Sequence, residues 1–101
     1  MMTNTTSPRF VLGQILATPG ALEALEASSQ QPLEFLTRHV SGDWGDLCEE
    51  DRQSNDDSVI DGSRLLSAYH TTRGVKLWVI TEATDESGHR SATTILLPEE
   101  Y

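Results

Sequence analysis

Between Arg64 and Thr81 the chain reads RLLSAYHTTRGVKLWVIT, two runs that alternate with a period of two about a tight turn at Arg73-Gly74. Before the turn Leu65, Ser67, Tyr69 and Thr71 alternate with Arg64, Leu66, Ala68 and His70. After it Val75, Leu77, Val79 and Thr81 alternate with Lys76, Trp78, Ile80 and Glu82. Successive strand residues point to opposite faces, so this pattern, rich in β-branched and aromatic residues and broken by glycine, predicts a β-hairpin. A third run, Ser91 to Leu97, follows the polar loop Asp85 to Arg90 and extends the hairpin to a three-stranded meander.

The preceding chain supplies what covers the meander. Phe10 to Leu16 is a short apolar run with an internal glycine, expected as an edge strand or an extended arm. Thr18-Pro19 reads as a helix start, with Thr18 as N-cap and Pro19 where its missing N–H costs nothing. Leu22 and Leu25 give the helix Pro19 to Ala27 its buried stripe. A second helix is expected over Pro32 to Val40, with Leu33, Leu36 and Val40 on one face and Phe35 beside it, ended by Ser41-Gly42. A third, Glu49 to Ile60, is poor in apolar residues, and Asp61-Gly62 stops it. At 101 residues the chain is one domain. Residues 1–9 are expected to be frayed and 10–101 to form a single α+β domain, two to three short helices packed on a three- to four-stranded antiparallel sheet.

Charge is unevenly spread. Asp43, Asp46, Glu49, Glu50, Asp51, Asp56, Asp57 and Asp61 face one base, Arg52, so this segment holds −7 of the formal −9. Four of the other six bases, Arg64, Arg73, Lys76 and Arg90, fall on the meander. The molecule is therefore expected to be electrically two-sided. Its acidity works against direct nucleic-acid binding, because affinity for phosphates comes from clustered Lys and Arg. No apolar run is long enough to cross a bilayer, and the first ten residues lack an apolar signal core, so a cytoplasmic location is expected, with no membrane association.

Few residues carry recognisable chemistry. Cys48 is the only cysteine, and its acidic neighbours disfavour a reactive thiolate. His39, Asp43 and Asp46 lie close in sequence but match no metal-ligand spacing. No nucleophile elbow, phosphate loop or dinucleotide fingerprint is present. Neither a metal nor a cofactor is expected. RNA cleavage needs only a base, an acid and a cation to stabilise the phosphorane. His39, Tyr69, Arg73 and Arg90 supply those types, with His70 and Thr94 nearby, and helices followed by an antiparallel meander look like the small RelE/barnase-type nucleases. Trp44 is expected to pin its loop to the sheet, and Asn55, if buried, to act as a clamp or a site residue. Trp44, Asn55, Tyr69, His70 and Trp78 are the candidate binding residues, with the sheet face bearing Trp78, Tyr69 or His70 the first place to look. The acids along the third helix could also imitate a row of phosphates.

LGQILATPGALEAL, PLEFLTRHVSGDWGDL with EEDRQSN, RLLSAYHTTRGVKLWVITEAT and TTILLPEEY together resemble a family of small "plasmid-related" hypothetical proteins of bacterial mobile elements. The resemblance covers nearly all of residues 12–101. Members often travel as type I restriction methylase subunits, but this chain lacks the glycine-rich methyl-donor loop and the N/D-P-P-Y/F motif of a DNA amino-methylase. Cys48 and the Asp85–Arg90 loop depart from the family's pattern. The resemblance implies an accessory protein of a plasmid or mobile element and brings no catalytic residues with it. The expected function is a non-catalytic interaction protein with a protein partner, and a homodimer through a sheet edge; the alternatives are a RelE/barnase-like ribonuclease or an acidic nucleic-acid mimic that inhibits a DNA-handling enzyme.

Overall fold

The computed structural model describes residues 8–101; of the stretch 1–9 expected to be frayed, residues 1–7 lie outside the described residues. In chain order the elements are β1 (Gln14–Ala17), α1 (Pro19–Ala27), α2 (Pro32–Val40), α3 (Glu49–Asp61), β2 (Leu65–His70), β3 (Lys76–Thr81), β4 (Ala92–Leu96) and a closing 3-10 turn, Pro98–Glu100. The fold is α+β. β2, β3 and β4 form the meander, with Leu65 opposite Thr81 and Tyr69 opposite Leu77. At the turn Gly74 takes φ +85°, a conformation that costs glycine little.

The sheet is mixed, not purely antiparallel. β1 runs parallel to β4, giving the order β1-β4-β3-β2. Strand direction is not written in alternation; it follows from where the intervening helices return the chain.

One sheet face, Leu65, Ser67, Tyr69, Leu77, Val79, Thr81, Thr93 and Ile95, is covered by α1 and α2. Ala21, Ala24, Leu25, Phe35 and Leu36 close the core over Tyr69, Leu77, Val79 and Ile95. The buried stripes are shifted from the expected ones. Leu22 and Leu33 are exposed, while Ala21 and Ala24 allow α1 to approach closely. In α2 the stripe is Phe35, Leu36 and His39.

Local signals explain the helix ends. The Thr18 hydroxyl accepts from the Ala21 N–H as N-cap. The Glu100 carboxylate accepts from Gly20 N–H at 3.0 Å, an anion at a helix N-terminus that ties the end of the chain to α1. Gly62 ends α3 with φ +87°.

Candidate functional site

The last turn of α2 points His39 into the sheet, where it is fully buried and hydrogen-bonded at both ring nitrogens. Nδ1 lies 2.5 Å from Ser67 Oγ and Nε2 lies 2.9 Å from Thr81 Oγ1. Thr81 Oγ1 is 2.7 Å from Thr93 Oγ1, and Thr93 Oγ1 donates to the Leu12 carbonyl at 2.7 Å. Each hydroxyl has one proton, so the chain has a direction. Thr93 gives its proton to Leu12, so Thr81 must give its own to Thr93. Thr81 can then only accept from Nε2–H. His39 is thus the neutral Nε2–H tautomer, and Nδ1 accepts from Ser67. Burial first, and the charge of Arg90 second, lower its pKa from 6.5 to about 3.

An extended arm, residues 9–13, seals this network. Arg9 N–H donates to the Val40 carbonyl at 2.8 Å. Phe10 meets the His39 ring edge-on at 5.1 Å, and Trp44 meets it from another side at 5.7 Å. Phe10 and Trp44 also stack, 6.0 Å apart. Gly13, at φ +68°, lets the arm turn against the backbone of Arg90 and Ser91, where a Cβ would collide.

Arg90, 4% exposed, fastens the adjoining corner. Its guanidinium donates to the carbonyls of Ser63 (2.8 Å), Glu82 (2.9 Å) and Ser58 (3.0 Å), joining β3 to the end of α3. Burial lowers its pKa, yet a guanidinium stays cationic.

A hydroxyl bonded to an imidazole that a third group orients has the form of an activated nucleophile. Here Ser67, His39, Thr81 and Thr93 are all fully buried, and none of the four principal clefts is lined by any of them. A general base must come within reach of the proton that it takes. This set instead satisfies polar atoms in the core.

The four residues expected to form a ribonuclease site do not converge on an open surface. Tyr69 is buried on the helix-covered face, its hydroxyl donating to the Asp43 carbonyl at 2.6 Å. Burial raises its pKa. Arg73 is exposed at the hairpin turn and reaches the Ala27 carbonyl at 3.3 Å. Arg90 is buried, although a position beside a polar loop reads as solvated. Of the binding candidates, Trp44 is a core anchor, its indole N–H donating to Asp56 Oδ1 at 3.0 Å. His70 and Trp78 are on the sheet face opposite Tyr69. His70 is exposed beside Asp46 at 2.7 Å, and Trp78 packs against the Tyr101 ring at 5.8 Å. His39, Asp43 and Asp46 diverge: His39 turns inward, Asp43 pairs with Arg38 and Asp46 with His70.

Asn55 is the clamp. Its Nδ2 donates to the Leu66 carbonyl at 2.7 Å and its Oδ1 accepts from Leu66 N–H at 3.2 Å, imitating a neighbouring strand on the outer edge of β2. Two residues on, Ala68 N–H donates to the Trp44 carbonyl and its carbonyl accepts from Asp46 N–H. Gly45, at φ +77°, permits that approach, because a Cβ would strike the Ala68 carbonyl. This edge is therefore closed at Leu66 and Ala68.

What remains open is the outward side of α3. Glu49, Glu50, Asp57 and Asp61 are exposed there and join no ion pair among the described residues; Asp51, exposed on the side of Asn55, joins none either. Asp43 and Asp56 pair with Arg38 and Arg9, and Asp46 is hydrogen-bonded to His70. No helix among the described residues is long and apolar enough to cross a membrane.

Comparison with models of known protein families, with curated proteins and with solved structures gave no match.

Proposed function

We propose that this chain is a small, non-catalytic interaction protein of a plasmid or mobile element, acting in the cytoplasm and meeting a basic protein surface with the exposed acids of α3. One observation carries the reading. The residues best suited to chemistry, His39, Tyr69 and Arg90, are buried and spend their polar atoms on the protein itself, whereas the acids along α3 stay exposed and outnumber its one base, Arg52. Carboxylates on a helix attract a basic partner over a distance of about one Debye length and set its orientation more than its affinity. Ile60, 87% exposed near the C-terminal end of α3 between Asp57 and Asp61, adds an apolar contact to such a surface.

The same row of unpaired acids favours a more specific second reading, that the partner is the phosphate-binding groove of a DNA-handling enzyme. A pull-down from host lysate with the wild-type chain, beside a triple variant Glu50→Gln, Asp51→Asn, Asp57→Asn, tests both. The proposal expects a basic partner that the variant loses, and the mimic reading expects that partner to be a restriction, partition or other nucleic-acid enzyme released by added DNA. Equal recovery by the two chains counts against both. RNA cleavage by the wild type that His39→Gln abolishes, in a variant that still folds, replaces them with the ribonuclease.

A further inference from the structure

The two edges of the sheet differ. β2 is capped by Asn55 and by residues 44–46, but β1 is bare on its outer side. Gln14 and Thr18 turn their N–H groups inward to the carbonyls of Ser91 and Ile95. Alternation then points the N–H and C=O of Ile15 and Ala17 outward, and no described residue pairs with them. Ile15 and Leu16, 44% and 43% exposed, flank this edge on opposite sheet faces. Beside it runs an apolar cleft of about 490 Å³ along Phe10, Val11, Gly13 and Val40.

The charge distribution selects the occupant. No ionisable side chain occurs from Phe10 to Leu22, in a chain whose formal charge is −9. Two copies repel each other over most of their surfaces, and this uncharged flank is where they meet at least electrostatic cost. A strand edge is also self-complementary about a two-fold axis, since each residue meets its counterpart's partner in the same way on both sides. The Glu100 carboxylate reaches this segment but is bonded to Thr18 and Gly20, beyond the end of β1, so a charged partner finds little along β1 to pair with.

We infer that β1 is the surface through which two copies of this chain associate. Antiparallel β1 strands exchange backbone hydrogen bonds at Ile15 and Ala17, and Ile15 and Leu16 pack against the second copy on the two faces. The four-stranded sheet becomes one continuous sheet across the dimer. So short a strand gives few hydrogen bonds, so the dimer is weak and concentration-dependent, at the small end of specific interfaces. The inference is independent of the role proposed for α3.

Sedimentation equilibrium of the full chain, combined with amide hydrogen exchange, tests it. The expected result is a dimer at high micromolar concentration that dissociates on dilution and tightens with added salt, because screening weakens the repulsion between like-charged copies. The amides of Ile15 and Ala17 gain protection as concentration rises, while those of Leu66 and Ala68 do not change. Ile15→Lys gives a monomer with the far-UV spectrum of the wild type; should that variant fail to fold, the exchange pattern of the wild type decides alone. A monomer at every concentration and salt overturns the inference. So does a dimer whose Ile15 and Ala17 amides exchange as freely as in the monomer. Protection of those amides in the dilute monomer overturns it too, since the chain would then cover its own edge.

Discussion

Helices α2 and α3 dock by opposite means. α2 has a conventional stripe, Phe35 and Leu36 against Tyr69, Leu77 and Val79, and at the next position of that stripe it places His39. α3 buries only Asn55 and Ser58 and has no apolar stripe. It is held by polar contacts: Asn55 on Leu66, Arg90 on the Ser58 carbonyl, and Asp56 under the Trp44 indole. The first arrangement hides polar groups inside an apolar core, and the second uses a few polar groups to hold an acidic rod at the sheet's rim. Burial consumes the chemistry of one and leaves the charge of the other free for a partner.

The largest effect should come from cutting the tie that α3 depends on. Arg90→Met removes three hydrogen bonds from a charged donor and orphans the carbonyls of Ser63 and Glu82, while that of Ser58 keeps the Gly62 N–H, and should cost about 4 kcal/mol in urea unfolding. A loss under about 1 kcal/mol would mean that α3 is held by something else. Thr81→Val comes next. It leaves the Nε2–H of His39 and the oxygen of Thr93 without their partner, at about 2 kcal/mol. Thr81→Ser should restore most of it, which a simple packing defect would not allow.

Between about pH 6.5 and 5 an effect of about 2 kcal/mol, the size of the Thr81→Val loss, is expected from pH alone. His39 is held neutral when folded, with a pKa near 3, and is freely protonated when unfolded. The unfolded chain therefore binds more protons below its own pKa of about 6.5, and stability falls as pH drops from there toward 3 by about 1.4 kcal/mol per unit. The carboxylates with lowered pKa values, Asp43, Asp61, Asp85 and Glu100, act in the same direction but only below about pH 4.5. The slope between about pH 6.5 and 5 thus belongs to His39, and denaturant titrations of His39→Gln should lose it. The smallest effect belongs to α3: Glu50→Gln with Asp57→Asn should change stability by less than about 0.5 kcal/mol, because neither carboxylate pairs with a base. A larger loss would mean that these acids support the fold.

Most of the fold was legible because its signals are local. The meander follows from alternation, α1 from Thr18-Pro19, the end of α3 from Asp61-Gly62, and the expected clamp at Asn55 matches its bonds to Leu66. The His39 network joins residues up to 81 positions apart, and no spacing rule reaches that far. A trace was present all the same. Ser67 and Thr81 interrupt the inward rows Leu65–Tyr69 and Leu77–Thr81, and His39 lies four residues after Phe35. Polar residues on a face that must be buried require one another as partners. Arg90 gave no such trace: its position beside the Asp85 loop reads as solvated, and only the return of Ser58 and Ser63, at the end of α3, beside Glu82 encloses it. β1 had an apolar run but no indication of direction.

His39 is a sealed, neutral core residue rather than a base open to substrate, and its imidazole nitrogens report this directly. A pH titration of the full chain by nitrogen NMR should show a single Nε2–H tautomer with no titration between about pH 8 and 5 and slow exchange of that proton with water. A midpoint near the ordinary 6.5, with rapid exchange, would contradict it and return His39 to the surface as a candidate for catalysis.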